Sequence, residues 1–275
     1  MNTKPVLFVG AGPGDPDLIT IAGRKALEKA DLVVYAGSLV NPEILSWCRP
    51  EAELADSAPL DLKEITDLML AAWRAGRQVV RLHTGDPSIY GAIHEQLVIL
   101  KSQGLPCQVI PGVTAALAGA AALGLEFTLP EITQTLILTR AAGRTPVPDG
   151  EDLASLARSR SSMAIYLSAA QGEEVSRVLS RAYGAEAPVA LLYRVTWPDG
   201  RLIWSTCGAL ARTLAEEKLD RHTLILVGPA LAALRQGGSV PKSRLYDPAF
   251  SHGSREARLK DGDLDEQVAE AVAEA

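Results

Sequence analysis

Apolar runs and amphipathic stretches alternate along most of this chain. Residues 5–9 (Pro5-Val6-Leu7-Phe8-Val9), 32–35, 78–83 and 107–110 are short, mainly apolar runs, and three of them lead straight into glycine turns. Runs of that length without helical spacing predict strands, and strands apolar on both faces belong to a buried parallel sheet. Between them the apolar positions fall at helical spacing. Leu18, Ile21, Ala22, Ala26 and Leu27 share one face of a helix predicted over residues 18–30. A second is predicted over 61–75, with Asp61 and Glu64 placed as a capping box and Gly76 as the stop. Others are predicted over 89–102 and, built from small residues, 114–122. This alternation predicts βαβ units and a first sheet that is mostly parallel.

The pattern breaks over residues 125–131, around Pro130, and a second unit follows. Its strands are predicted over 135–139, 163–167, 189–193, 202–205 and 223–227, and its helices over 152–158, 173–182 and 209–216. Thr196-Trp197-Pro198-Asp199-Gly200-Arg201 has the composition of a hairpin turn, so this second sheet is predicted to be mixed. The expected organisation is an α/β protein with an N-terminal α/β domain (1–113), a C-terminal α/β domain (114–246) and a mobile tail (247–275).

Composition narrows the classes. Aromatics make up only 5% of the chain, so cores must be built from Ala, Val, Leu and Ile. Residues 251–275 hold seven acids and three bases, −4 of the net −6, which leaves −2 on the rest. A nearly neutral body argues against bulk nucleic-acid binding. No apolar run approaches the roughly 20 residues of a membrane helix, and the N-terminal residues show no signal-peptide core. Cys48, Cys107 and Cys207 are far apart with no CxxC, as expected for a reducing, cytoplasmic setting.

The candidate chemistry sits in the turns. In an open α/β sheet, ligands bind outside the carboxyl ends of strands. The turn Gly10-Ala11-Gly12-Pro13-Gly14-Asp15 has Asp15 where a dinucleotide fingerprint needs its third glycine. Pro13 lacks an N–H for a pyrophosphate, and Val34-Tyr35-Ala36-Gly37-Ser38 offers no acid for a ribose. NAD and FAD are disfavoured, and a P-loop is excluded because no Gly-Lys-Ser/Thr occurs in the turns. These glycines serve either a ligand's close approach or only a sharp strand-to-helix turn. In Gly85-Asp86-Pro87-Ser88-Ile89-Tyr90-Gly91, the Asp86 carboxylate either accepts from a ribose or amino group or caps the helix near Ser88. Tyr90 either stacks on a ligand or fills a seam. Pro111-Gly112-Val113-Thr114-Ala115 is a third strand-end turn, and the small residues after it allow a flat ligand, or another backbone, to come close.

Gly-x-Gly-Pro-Gly-Asp, Gly-Asp-Pro-x-x-Tyr-Gly and Pro-Gly-Val-Thr-Ala, in this order, resemble the tetrapyrrole (corrin/porphyrin) methyltransferases over about residues 5–235. Residues 34–41, Thr139-Arg140, residues 143–148 and Ser243-Arg244-Leu245-Tyr246-Asp247-Pro248 are similar to the branch that methylates C-11 of precorrin-4. The resemblance implies two α/β domains around a cleft that holds S-adenosyl-methionine, a tetrapyrrole substrate, a homodimer, and a role in cobalamin biosynthesis. It implies cofactor contacts at Pro13, Thr84, Gly85, Asp86, Ile89, Thr114, Ala115 and Leu167, the last where relatives often carry Met. Position 195 is Val where some relatives have Gly. A substrate with several acetate and propionate groups calls for arginine forks, and Arg140 and Arg144 are the candidates. Methyl transfer from a sulfonium needs no metal, and His83, His94, His222 and His252 show no ligand spacing. Asp15 and Tyr90 are the candidates for a base. The alternatives are methylation of another tetrapyrrole carbon, as on uroporphyrinogen-III, and a non-enzymatic nucleoside sensor.

Overall fold

The computed structural model describes residues 3–237, 243–246 and 249–256. The first half alternates β1 (Val6–Gly10), α1 (Ile21–Leu27), β2 (Leu32–Tyr35), β3 (Glu53–Asp56), α2 (Leu62–Arg74), β4 (Val79–His83), α3 (Ile93–Ser102) and β5 (Cys107–Ile110). All pairings are parallel, in the order β3-β2-β4-β1-β5. Helix α4 (Ala115–Leu123) leads to β6 (Leu136–Arg140), α5 (Leu153–Ala157), β7 (Ser162–Tyr166), α6 (Gly172–Tyr183), β8 (Pro188–Tyr193), β9 (Arg201–Thr206), α7 (Leu210–Glu216), β10 (Thr223–Val227) and α8 (Pro229–Gln236). This second sheet runs β6-β7-β10-β8-β9, parallel only between β6 and β7. The first sheet is therefore wholly parallel and the second mixed.

The continuous apolar runs follow from burial on both faces. On one side of the first sheet Val9, Val33, Val80 and Leu82 pack with Leu27 of α1. On the other, Phe8, Leu32 and Val34 pack with Met69 of α2 and Leu100 of α3. The second sheet buries Met163, Ile165 and Leu191 under α6 and α7, and Ala190, Leu224 and Leu226 under α4 and α8. The small residues of α4 serve this packing: a Cβ on Gly119 would stand 2.7 Å from Leu192.

Several elements depart from the sequence expectation. Helix α1 is shorter than 18–30, because Asp15 and Pro16 start a separate 3-10 turn and Thr20 then caps the helix by accepting from Gly23 N–H at 3.1 Å. Helix α3 begins at Ile93, not at 89, since Tyr90 and Ala92 take left-handed conformations (φ 56° and 48°). Strand β3 went unrecognised: it is an edge strand, paired only with β2, and its exposed residues carry no apolar pattern. Helix α8, with Pro229 at its start, was also missed. The capping box of α2 formed as read, with both Asp61 and Glu64 bonds present. Of the tail expected to be mobile, 247–248 and 257–275 lie outside the described residues, including Asp247 and Pro248 of the last motif; His252 and Arg255 form a short bridge.

Strand β1 lies between β4 and β5, so the three glycine turns leave the sheet side by side. They touch through backbone. Gly12 and Gly85 exchange hydrogen bonds (2.8 and 3.2 Å), and Ala11 N–H donates to His83 C=O at 2.7 Å. A Cβ on Gly10 would stand 2.6 Å from both Gly112 Cα and Gly85 O, and one on Gly112 would run into Gly85 O. Overpacking usually costs about 1–3 kcal/mol, and here the struck atoms are backbone. Gly112→Ala is expected at the top of that range, about 3 kcal/mol. Gly104→Ala, at φ +81° in open space, should cost only about 1 kcal/mol. Urea denaturation of the two variants checks the difference.

Candidate active site

The three turns form one wall of a 470 Å³ cavity between the sheets. Pro13 comes from the first turn, Thr84, Gly85, Asp86, Ile89 and Tyr90 from the second, and Thr114 and Ala115 from the third. The opposite wall is built from the ends of three neighbouring strands. Because β10 runs antiparallel to β7 and β8, its amino end (His222, Thr223, Leu224) lies beside their carboxyl ends (Tyr166, Leu167 and Leu192, Arg194).

Asp86 organises the first wall. Its Oδ1 accepts from Ser88 N–H at 2.8 Å and its Oδ2 from Gly112 N–H at 2.9 Å, so one carboxylate ties the second turn to the third. Both bonds come from backbone donors within the protein. The carboxylate still borders the cavity, and an ionised carboxylate has about four acceptor positions.

The walls are latched to each other. Trp197 Nε1 donates to Pro13 C=O at 3.0 Å, and Asp15 N–H donates to Thr196 Oγ1 at 3.0 Å. The indole lies against Gly14, where any Cβ would collide with it. Buried Asn41 donates from Nδ2 to Gly14 C=O at 2.8 Å and fixes the turn from behind. At the other end the Tyr166 hydroxyl accepts from Ala116 N–H at 3.0 Å and bonds Thr114 Oγ1 at 2.6 Å. Tyr90 packs on Tyr166, ring centroids 5.6 Å apart.

Electrostatics sort the titratable groups. Burial raises the Tyr90 phenol, opposed by the nearby Arg140 charge, so Tyr90 stays protonated near neutral pH. Burial, with Arg194 and Arg221 beside it, lowers the His222 imidazole. Burial pushes the thiol of Cys48 to about 11 and that of Cys207 to about 12, so neither is a thiolate nucleophile. Among the described residues no three His, Cys, Asp or Glu side chains gather as a metal site requires.

All eight residues to which the family resemblance assigned cofactor contacts line this one cavity. Leu167 does so with its side chain 68% exposed and φ at 53°. Val195 lines it too, and so does Tyr90. Asp15 does not: its carboxylate caps the 3-10 turn through Asp17 N–H at 2.9 Å. Arg140 and Arg144 are also outside the lining. The Arg140 guanidinium braces the next loop, donating to the C=O of Ala141 and Thr145 from Nη1 and of Pro146 from Nη2 (3.2, 3.1 and 2.7 Å). Arg140 pairs in register with Tyr166, at the edge of the cavity. Sequence reasoning missed Tyr166, Arg194, Trp197 and residues 220–224. The strand-end rule would have found Tyr166 and Arg194; Trp197 and residues 220–224 face the cavity through a hairpin and the amino end of an antiparallel strand, which that rule does not cover.

A family model for tetrapyrrole (corrin/porphyrin) methylases matches residues 5–211. The chain belongs to this family. A cobalt-precorrin-4 C(11)-methyltransferase from Methanocaldococcus jannaschii is 44% identical over 94% of this chain and 99% of its own length. A precorrin-4 C(11)-methyltransferase from Pseudomonas aeruginosa is 47% identical over 83% of this chain and 91% of its own. Among solved methylases, a cobalt precorrin-4 methyltransferase superposes with a TM-score of 0.80 at 43% identity, covering 82% of this chain and 95% of that one. A uroporphyrin-III C-methyltransferase from Thermus thermophilus, complexed with S-adenosyl-homocysteine, superposes at 0.69 and 27% identity, covering 82% and 93%.

His83, which ends β4 just before the second turn, supplies a pH test. It is buried against Phe8, and its Nε2 has no hydrogen-bond partner among the described residues. Burial first, then the Arg81 charge, lowers its pKa to about 3. The native state thus keeps it neutral while the unfolded chain takes a proton near 6.5. Its contribution to stability is complete above that value and is lost as pH falls from about 6.5 toward 3. His83→Phe should flatten the decline, read as the difference between wild-type and variant denaturation at pH 7 and pH 4.

Proposed function

We propose that this methylase transfers the methyl group of S-adenosyl-methionine to C-11 of precorrin-4, or of its cobalt form, in corrin ring biosynthesis. The observation that carries the reading is the convergence of Pro13, Gly85, Asp86, Thr114, Ala115 and Leu167 on a single cavity between the two lobes, 1–113 and 114–246. The names and identities of the relatives support the choice of carbon.

The cavity fits the cofactor on chemical grounds. Gly10 and Gly112 are glycine because backbone is pressed against them, but Gly85 is not: an added Cβ would meet nothing nearer than Thr114 Cα at 3.9 Å and Val113 O at 4.0 Å. A side chain there would occupy cavity space instead, beside a carboxylate suited to a cationic ligand. Leu192, Val195 and Leu224 provide the apolar surface that a purine needs. Pro13, Thr84, Gly85, Asp86, Ile89, Thr114, Ala115 and Leu167 are the residues that would hold it.

When bound, S-adenosyl-methionine supplies an electrophilic methyl whose leaving group is a neutral thioether. The chain's own task is positioning. The latched walls hold the two reactants in line, an effect worth up to about 7–11 kcal/mol in oriented systems. Tyr90, kept protonated, offers a hydroxyl donor at the cavity edge. The substrate carboxylates meet the side marked by Arg140 and by Arg144, whose loop Arg140 braces. The enzyme works as a homodimer in the cytoplasm; its cysteines are all free thiols, and light scattering of the pure protein gives its mass in solution.

The assay is incubation with methyl-labelled cofactor and precorrin-4. A gain of one methyl, located at C-11 by nuclear resonance, is the expected result; no transfer to this substrate sinks the assignment. In calorimetry with S-adenosyl-homocysteine, Gly85→Ala should lose at least tenfold in affinity while giving up only about 1 kcal/mol of stability for its left-handed backbone. Arg140→Ala removes charge-assisted bonds worth about 1.5–3 kcal/mol each. It should raise KM for the tetrapyrrole roughly tenfold or more and leave homocysteine-cofactor affinity nearly unchanged; an equal loss of both would count against its role.

A further inference from the structure

A second cavity, of 380 Å³, opens between α5 and α6 and shares no residue with the first. Arg158, Arg160, Arg177 and Arg181 line it, over a floor that includes Ala154, Val178 and Ala182. No acidic residue is in the lining. Arg177 is paired with Glu174 at 2.6 Å, and Arg158 Nη2 donates to Ser155 Oγ at 3.1 Å. The guanidinium groups of Arg160 and Arg181 have neither a hydrogen-bond nor an ion-pair partner among the described residues. A cleft carrying at least three uncompensated positive charges thus stands on a chain whose net charge is −6.

Helix electrostatics account for only part of this cluster. Arg158 and Arg181 lie at the carboxyl ends of α5 and α6, where a cation is favourable. Arg177 is in mid-helix, and Arg160 is outside any helix, held at φ 53° in the turn before β7. Arg177 and Arg181 are also one turn apart, a like-charge spacing that weakens a helix. The Glu174 pair accounts for Arg177, but nothing in the local fold calls for arginine at position 160, and planar guanidinium forks match carboxylate and phosphate oxygens in pairs. The volume lies within the usual range of small-molecule pockets, about 300–1,000 Å³.

We propose that the α5–α6 cleft binds a compact multivalent oxyanion, a polyphosphate or a small polycarboxylate. Arg160 and Arg181 are its free forks, and Arg158 closes the third side. Arginine does not titrate near neutrality, so the cleft keeps its positive charge between about pH 6 and 9, and binding weakens as salt screens the charges.

Calorimetry of the full chain at fixed ionic strength, with pyrophosphate and citrate titrated separately, tests this. Saturable one-site binding is expected for at least one of them; pyrophosphate alone identifies phosphates as the natural ligand, and citrate alone identifies carboxylates. Raising sodium chloride from about 0.05 to about 0.5 M should weaken that binding at least tenfold. Arg160→Ala/Arg181→Ala should do the same at low salt, and Arg160→Lys/Arg181→Lys, which keeps the charge but not the fork, should fall between. If the double alanine variant does not fold, Arg160→Ala alone should still weaken binding at least threefold. No saturable heat with either anion, or binding that all these variants leave unchanged, overturns the proposal.

Discussion

Three strand ends meet backbone to backbone in this protein, and the site depends on that contact. Gly10, at the end of β1, stands between Gly85 and Gly112 with no room for a methyl group against Gly112 Cα and Gly85 O. The order β4-β1-β5 makes the three turns neighbours. The exchange of hydrogen bonds between Gly12 and Gly85, and the Asp86 carboxylate on Gly112 N–H, then lock them. One wall of the main cavity is therefore a rigid backbone surface, and its shape owes little to rotamers.

The opposite wall is held to it by few contacts placed at the two ends. Trp197 and Thr196 reach from the β8–β9 hairpin to Pro13 and Asp15, while Tyr166 reaches from β7 to the start of α4. Strain gathers between these ends. Of the nine non-glycine residues with positive φ among the described residues, Tyr90, Leu167, Arg194 and His222 line the cavity. Such conformations persist only where the surroundings over-determine them, and they concentrate at functional sites. The methylase spends local backbone strain where side chains must be aimed across a cleft.

Much of the fold was legible in the order of residues. Strands buried on both faces reveal themselves as apolar runs, so β1, β2 and β4 were readable, as was the Asp61–Glu64 cap; the half-exposed edge strand β5 was marked instead by the Pro111-Gly112 stop that follows it. Strand β3 was not, because an exposed edge strand such as Glu53–Asp56 needs only backbone partners. The start of α3 was misplaced because left-handed Tyr90 and Ala92 have no signature in composition. The turn residues of the site were recognisable as glycine corners and by family wording. Arg140 shows the limit of residue-type reasoning: an arginine read from the sequence as a carboxylate anchor also has backbone carbonyls to satisfy, and here Ala141, Thr145 and Pro146 take three of its donors.

The amino-acid sequence by itself determined the two α/β halves, the parallel character of the first sheet, the three corners and the kinship with tetrapyrrole methylases. These are local or periodic properties, set by burial pattern and by what glycine alone permits. Tertiary structure alone decided that the corners interlock, that Asp86 serves two backbone donors at once, and that Tyr166, Trp197 and the amino end of β10 complete the cavity. Those contacts join residues as far apart as Pro13 and Trp197. They arise when the strand ends of two sheets are brought together, and no spacing along the chain encodes that approach.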